Sequence, residues 1–433
     1  MRILEIISRV IVGGIFFVSG LIKANDIMGF SYKLEEYFSP DVFDMAFMEP
    51  FVVPLAFLAC VAEIVLGLAV ILGAKMKLAS WSLLGLTVFF GFLTWFSAYY
   101  DKVRECGCFG DALSLTPWES FYKDMFLMVF VIILVLKASK IKLNTQNDDL
   151  IVGGLGLLLV AVLSLGIFDW GLPVVLYIIL IGGAIVLKRM LGSSNKEWIM
   201  AGYVTLLTSI FGIYTYNYLP VKDYRAYAVG KSISEQMKTA EEKGEKPTTY
   251  YTLYTLVDES GNEKEVRSDV YLKDQIWKDK SLKIDKEQSK GPYVLEAGYE
   301  PAITDFKIDS YEDGDLTHEV LDAEEPTLVW VFKSIEKAQT DPDMAKLISL
   351  TNELGKNGGM KVLALSPSPY EEVESFRHEN NLAFPFYAGD EIVLKTFVRS
   401  NPGLILMKKG TVLGKWSNND LPSADEVKAL AKN

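Results

Sequence analysis

Phe51-Val52-Val53-Pro54-Leu55-Ala56-Phe57-Leu58-Ala59-Cys60-Val61-Ala62-Glu63-Ile64-Val65-Leu66-Gly67-Leu68-Ala69-Val70-Ile71-Leu72 is the stretch on which the reading of this chain turns. It carries one charge, Glu63, and is long enough to cross ~30 Å of hydrocarbon, which takes about 20 helical residues. A helix is required there because lipid offers no partners to backbone N–H and C=O groups. Similar windows lie on either side: Leu4 to Leu21, Leu78 to Tyr99, Phe121 to Leu136, Leu150 to Phe168, Leu172 to Leu187 and Trp198 to Tyr216. The first is followed by Ile22-Lys23-Ala24-Asn25-Asp26 without a small-x-small site, so a cleaved signal peptide is not expected. The spacing therefore predicts about seven membrane spans over residues 1–218.

Charge divides the chain in the same place. Of 433 residues half are hydrophobic, and the formal net charge is −12. Residues 1–218 carry 15 Lys and Arg against 17 Asp and Glu, which leaves 28 against 38 for the remainder. An apolar half is thus joined to an acidic one. Nucleic acid is excluded as a partner, since no basic patch is available to displace phosphate counterions. The two histidines, His318 and His378, both lie in the acidic half and read as solvated surface residues, so no His-based metal site is expected. Three cysteines do not make a disulfide-stapled scaffold.

Orientation follows from the short loops. With the N-terminus in the cytoplasm, Arg2, Lys75, Lys77, Lys137, Lys140, Lys142, Lys188, Arg189 and Lys196 fall inside, against Lys23, Lys33, Lys102, Arg104 and Lys123 on the other side. Seven spans then place the acidic half outside. The expected location is a bacterial cytoplasmic membrane, with a periplasmic C-terminal domain.

Two ionisable residues inside spans need partners. Antiparallel packing of the first two spans predicts a meeting of Arg9 with Glu63, either as a structural ion pair or as polar groups facing a cavity. The Gly13-Gly14 and Gly153-Gly154 pairs, with Gly156, read as close-packing sites between helices. Cys60 reads as a small hydrophobe, with a relay of oxidising equivalents as the alternative.

Between the third and fourth spans runs Asp101-Lys102-Val103-Arg104-Glu105-Cys106-Gly107-Cys108-Phe109-Gly110-Asp111. On the oxidising side, Cys106 and Cys108 form a candidate thiol pair. A Cys-Gly-Cys bridge closes a small strained ring, and strain makes a disulfide easier to reduce. Lys102 and Arg104 favour thiolate; Asp101, Glu105 and Asp111 oppose it. Thiol–disulfide exchange and a simple surface turn both fit the loop.

Residues Arg9 to Lys23, Glu63 to Gly73 and Cys106 to Gly110 together resemble the DoxX-like family, in its MauE branch, over about residues 1–140. That resemblance implies a four-helix membrane bundle and a role in envelope redox or protein maturation. MauE-like proteins are implicated in maturing a disulfide-rich periplasmic enzyme, and DoxX relatives include a subunit of a quinone-linked oxidoreductase. A quinone is accordingly the cofactor to consider. Residues 141–218, three further spans, fall outside the resemblance.

Residues 219–300 read as an extracytoplasmic β-rich segment. Thr249 to Val257 and Lys264 to Tyr271 make a hairpin about Asp258-Glu259-Ser260-Gly261, and Lys273 to Lys290 reads as a solvated stretch. From about Ala302 the pattern is α/β. Asp305 to Asp309 and the continuous apolar run Thr327-Leu328-Val329-Trp330-Val331-Phe332 read as strands, the latter of the buried parallel type. Helix Met344 to Leu354, strand Met360 to Leu365, helix Tyr370 to Glu379, strands Phe384 to Tyr387, Leu404 to Met407 and Val412 to Trp416, and helix Ala424 to Leu430 follow. That order resembles a membrane-tethered thioredoxin fold over residues 301–433, with Asn401-Pro402 in the place of its cis-proline. Where the resemblance requires Cys-x-x-Cys, the chain reads Lys333-Ser334-Ile335-Glu336-Lys337-Ala338, and residues 219–433 contain no cysteine. Dithiol chemistry is excluded there. The resemblance leaves a platform for another envelope protein, centred on Trp330, Phe332, Lys333, Asn401 and Pro402.

The fold expected is a polytopic α-helical membrane domain plus an extracytoplasmic β-rich segment and an α/β thioredoxin-like domain. The function expected is accessory, in envelope protein maturation or thiol–disulfide redox. A structural scaffold is the alternative, and a small-molecule transporter a weaker third, because no inverted repeat is visible.

Overall fold

A computed structural model describes residues 2–100, 102–103, 107, 109–192, 195–339, 342–357 and 360–432. Cys106 and Cys108 lie outside the described residues. The membrane half is built from α1 (Arg2–Asn25), α2 (Ile27–Phe38), α3 (Val52–Leu72), α4 (Met76–Tyr100), α5 (Pro117–Lys137), α6 (Gln146–Ala161), α7 (Leu172–Met190) and α8 (Lys196–Asn217). Among the described residues, six helices are long and apolar enough to cross a membrane: α1, α3 with its preceding turn, α4, α6 with its continuation to Ile167, α7 and α8. Helix α5 stands outside that group because Glu119, Lys123 and Asp124 occupy its first two turns. Its length of about 31 Å nevertheless matches the hydrocarbon thickness.

Local chemistry fixes the ends of these helices. Thr116 and Glu119 form a reciprocal capping box at the start of α5, with Pro117 in the first helical position. Thr145 and Asp148 do the same for α6. Gly73 ends α3 at φ +69°, and its N–H reaches the carbonyls of Ala69 and Val70. Helices α1 and α3 cross in close contact: a methyl on Gly13 would stand 2.7 Å from the Gly67 carbonyl, and one on Gly67 would stand 2.8 Å from that of Gly13. The small residues are therefore needed at that crossing. Gly154, by contrast, faces open space and is not a packing site.

Helix α2 was not anticipated. It is amphipathic, with Ile27, Phe30, Ser31, Leu34 and Tyr37 buried at helical spacing. It lies between α1 and α3, so the segment read as loop is an ordered shelf beside the membrane half.

Outside the membrane half, β1 (Thr249–Val257) pairs antiparallel with β2 (Glu263–Arg267) as the hairpin pattern requires. Of the stretch Lys273 to Lys290, which is largely exposed as read, residues 283–290 also form the start of β3 (Lys283–Glu296), which pairs with the other edge of β1. β3 is an edge strand exposed along most of its length, so it lacks the apolar alternation that would have revealed it. The second sheet contains β4 (Asp309–Ser310), β5 (Gly314–Asp315), β6 (Thr327–Val331), β7 (Lys361–Ser366), β8 (Phe386–Ala388), β9 (Gly403–Lys408) and β10 (Thr411–Ser417), in the order β10-β9-β6-β7-β8-β4-β5. The β6–β7 pair is parallel and the β6–β9 and β9–β10 pairs are antiparallel. With its flanking helices this is the thioredoxin arrangement. Of the strand read at Asp305 to Asp309, only Asp309 joins the sheet, although Phe306 and Ile308 are buried. The helix expected to stop at Leu354 continues to Asn357.

Both faces of β6 are covered, which explains its unbroken apolar run. Leu328, Trp330 and Phe332 point into one cluster with Phe376 and Phe386. Val329 and Val331 point into the other with Leu363, Ile405 and Tyr227. This is the period-two alternation of a strand buried on both sides.

Candidate functional site

The intramembrane charges are not paired as expected. Glu63 accepts from Lys23 Nζ at 2.6 Å, with both side chains buried, and Lys23 also donates to Ser19 at 3.1 Å. Its ammonium stands 4.5 Å from the centre of the Phe90 ring. Arg9 instead donates to the Val70 carbonyl at 2.9 Å and the Ile71 carbonyl at 2.8 Å, and also to Asn144 Oδ1. Register is the reason. Gly20 of α1 lies level with Cys60 and Glu63, whereas Arg9 is three turns nearer the opposite end of the helix. There it donates to carbonyls in the last turn of α3, where that of Val70 also accepts from the Gly73 N–H and that of Ile71 from Asn144. Lys23 was read as a loop residue, yet it lies in the last turn of α1 and its side chain reaches back to Glu63. Cys60 is buried in the membrane core.

The platform residues are also placed differently. Trp330 and Phe332 are completely buried in the core of the thioredoxin-like domain, so neither can meet a partner. Asn401 does face the position of the missing dithiol motif. Its Oδ1 accepts from the N–H of Lys333 at 2.8 Å and of Ser334 at 3.3 Å, and its Nδ2 donates to the Ser334 carbonyl at 3.0 Å. The Asn401-Pro402 peptide is cis. Lys333 Nζ donates to Tyr32 Oη of α2 at 2.9 Å and to the Arg399 carbonyl at 3.0 Å. The face expected to hold a partner is thus occupied by the chain's own α2.

Tyr32 is the plug. Its ring centre lies 5.0 Å from Lys395 Nζ, 5.5 Å from the Arg399 guanidinium and 5.6 Å from Lys333 Nζ. Beside it Arg399, almost fully buried, bridges two carboxylates. Nε meets both oxygens of Asp26 at 2.9 and 3.0 Å, and Nη2 meets Asp111 Oδ2 at 2.8 Å. Asp111 ends the cysteine loop and Asp26 caps α2, accepting from the Gly29 N–H at 2.8 Å. One arginine of the outer domain therefore fastens both the shelf and the loop.

Burial and this charge set shift the ionisable groups in opposite directions. Burial raises the Asp26 carboxyl, but Arg399 and Arg225 outweigh it and hold it below the ordinary carboxylate range. Burial, then the Arg399 charge, brings the Lys333 ammonium down to about 7. Burial and Arg225 bring Lys415 to about 7 as well, even though it pairs with Asp223 at 3.0 Å.

A second layer fastens the link between the halves. Asn25 exchanges hydrogen bonds with Lys222, donating to its carbonyl at 2.8 Å and accepting from its N–H at 3.1 Å. Arg225 donates to the Thr396 carbonyl at 2.8 Å. Around Gly107, Gly110 and Asp111 these elements leave a small charged vestibule, with Asp26, Lys33, Lys222 and Arg225 in its walls. Tyr32, Asp26, Arg399 and Asp111 had not been recognised as site residues. The apolar spacing of α2 was a readable signal for the shelf, but no local pattern announces contacts between residues 26 and 399.

Among solved structures the chain is similar to one described as a thioredoxin of Neisseria meningitidis, at 23% identity over 30% of this chain and 88% of that one, with a TM-score of 0.24. It is also similar to a secreted disulfide oxidoreductase of Mycobacterium tuberculosis, at 17% identity over 26% of this chain and 84% of that one, with a TM-score of 0.21. Comparison with curated proteins gives no significant match. Residues 1–137, the first part of the membrane half, match the family model described as methylamine utilisation protein MauE.

Proposed function

We propose that this is an accessory protein of a bacterial cytoplasmic membrane, serving envelope protein maturation through thiol–disulfide exchange at Cys106 and Cys108. The loop carrying them faces the periplasm with the thioredoxin-like domain above it. In that exchange, the thiolate of one cysteine attacks a disulfide of an envelope client and forms a mixed disulfide, releasing one client thiolate. The second cysteine then attacks the mixed disulfide. The client leaves reduced at both sulfurs, and the Cys106–Cys108 bridge holds the oxidised pair. The reverse sequence oxidises a client dithiol.

The observation that carries this reading is the Arg399 bridge. A domain of thioredoxin architecture without cysteines turns its Lys333 and Asn401-Pro402 face onto the frame of a loop that has two. Its role is to seat that loop, and the client is met at the loop. The test uses Cys106→Ser and Cys108→Ser single variants in intact cells, with mixed disulfides trapped by acid and identified by mass spectrometry. One single variant is expected to accumulate an envelope client, and the double variant none. If neither traps a client and the double variant behaves as wild type, the scaffold reading replaces this one.

A further inference from the structure

Helices α3, α4 and α8 leave a cavity of about 90 Å³ between them, beside the α3–α4 turn. Leu68 and Leu72 of α3 and Met200 and Val204 of α8, all buried, form its back wall. Leu78 and Trp198 also line it and are 52% and 54% exposed, so it reaches the surface there. From Val65 to Leu72 its α3 wall extends about 10 Å along the helix. The lining is apolar except at one end, where Lys75 and Glu197 stand. Lys75 follows the end of α3 and Glu197 lies in the first turn of α8, so this polar end is at a face of the membrane. Water is a poor occupant, because a buried water needs several polar partners. All three helices are long and apolar enough to cross a membrane, and a hydrocarbon chain fits the gap between them.

Charge specifies what that chain carries. The Glu197 carboxylate is engaged, since it accepts from the backbone N–H of Lys75. The Lys75 ammonium has no carboxylate partner among the described residues and stands 5.1 Å from the centre of the Trp198 ring, at the mouth of the cavity. Lys75 has φ +44°, in the left-handed region that favours glycine, yet the position is a lysine. Lys77 in the first turn of α4 and Lys196 at the start of α8 add cations at the same end. An apolar groove with a cationic rim is complementary to an anion carried on hydrocarbon.

We propose that an anionic phospholipid binds here, with its phosphate at Lys75 and Trp198 and one acyl chain between α3, α4 and α8. Helices α3 and α4 lie within residues 1–137 and α8 lies outside them, so the lipid seals the seam between the MauE-like bundle and the further helices.

The test is native mass spectrometry of the full chain exchanged into phosphatidylglycerol or phosphatidylcholine with identical acyl chains. Wild type should retain one phosphatidylglycerol about fivefold more tightly than phosphatidylcholine, the effect of one cation near the membrane surface. Lys75→Gln should abolish that preference and leave phosphatidylcholine binding unchanged, whereas Lys75→Arg should keep it. All three side chains meet the same backbone strain, so the comparison isolates the charge. Lys140→Gln, at an exposed lysine of the α5–α6 turn, should also keep the preference.

Ala201→Leu fills the cavity from α8 and should weaken retention of both lipids. Thermal unfolding in detergent shows which variants are folded. Lys75→Gln changes only the rim, so it carries the test if Ala201→Leu does not fold. Equal retention of the two lipids by wild type, a preference that survives Lys75→Gln, or an equal loss in Lys140→Gln overturns the proposal. Undiminished retention by folded Ala201→Leu places the lipid elsewhere and overturns it as well.

Discussion

Arg399→Met tests the seating of the two halves on each other. The guanidinium is 6% exposed and makes three short contacts to Asp26 and Asp111. Removing it leaves the half-buried Asp26 without its main counter-charge. Breaking a buried hydrogen-bonded pair from one side costs about 3–5 kcal/mol. Asp111 is a third exposed, so its share is discounted, and Asp26 keeps the Gly29 N–H. The lower end, about 3 kcal/mol, is the value to expect. That makes opening of the seat on the order of a hundredfold more frequent. Hydrogen exchange of the full chain in nanodiscs reads this directly, at amides of residues 27–38 and 391–402. Both segments should lose protection together in Arg399→Met, and Asp26→Asn in the same chain should recover part of it. Arg399→Lys should fall between, because an ammonium cannot form the fork. If exchange in both segments superimposes on wild type, Arg399 does not hold the halves together.

Two further outcomes follow from the buried charges. Lys333 has a folded value of about 7, below its ordinary 10.5, so the unfolded chain binds the extra proton between those limits. Stability therefore rises with pH across that window, and Lys333→Met should flatten the rise, its advantage over wild type shrinking from pH 7 to pH 10 in thermal unfolding. Equal slopes would show that Lys333 is not desolvated. In the membrane half, Glu63→Gln should cost about 3 kcal/mol by leaving Lys23 unpaired, and Lys23→Met in the same chain should recover much of it. Arg9→Met with Glu63→Gln should simply add, and recovery in that pair instead would restore the Arg9 partnership.

The spans were legible because lipid forces each apolar window to satisfy its own backbone, so length and composition alone decide them. The run Thr327 to Phe332 was legible for a related reason, since a strand covered on both faces cannot alternate. Asn401-Pro402 was legible as a position in an order of elements. Register was not. Whether Glu63 meets Arg9 or Lys23 depends on the level at which α1 and α3 cross, which Gly13 and Gly67 set by contact and no periodicity encodes. Exposed strands such as β3 carry no pattern to read. The seat was hidden for another reason. Trp330 and Phe332 lie on one face at the end of β6 and Lys333 follows them, and sequence alone does not say that the first two are core and that the third is covered by Tyr32 from 301 residues away.

The Tyr32 plug also bears on how this protein is handled at the bench. Cut away from its membrane half, the outer domain would display Lys333, Lys395 and Arg399 around an empty aromatic slot, with Asp26, Glu35 and Asp111 gone. Such a surface is a ready trap for acidic, tyrosine-bearing segments of any bystander. Proteins captured by a soluble truncation would then resemble α2 in chemistry and would not report a partner of the full chain. Adding back a peptide of residues 26–38 should displace them, which makes that peptide the control to run beside every pull-down with the fragment.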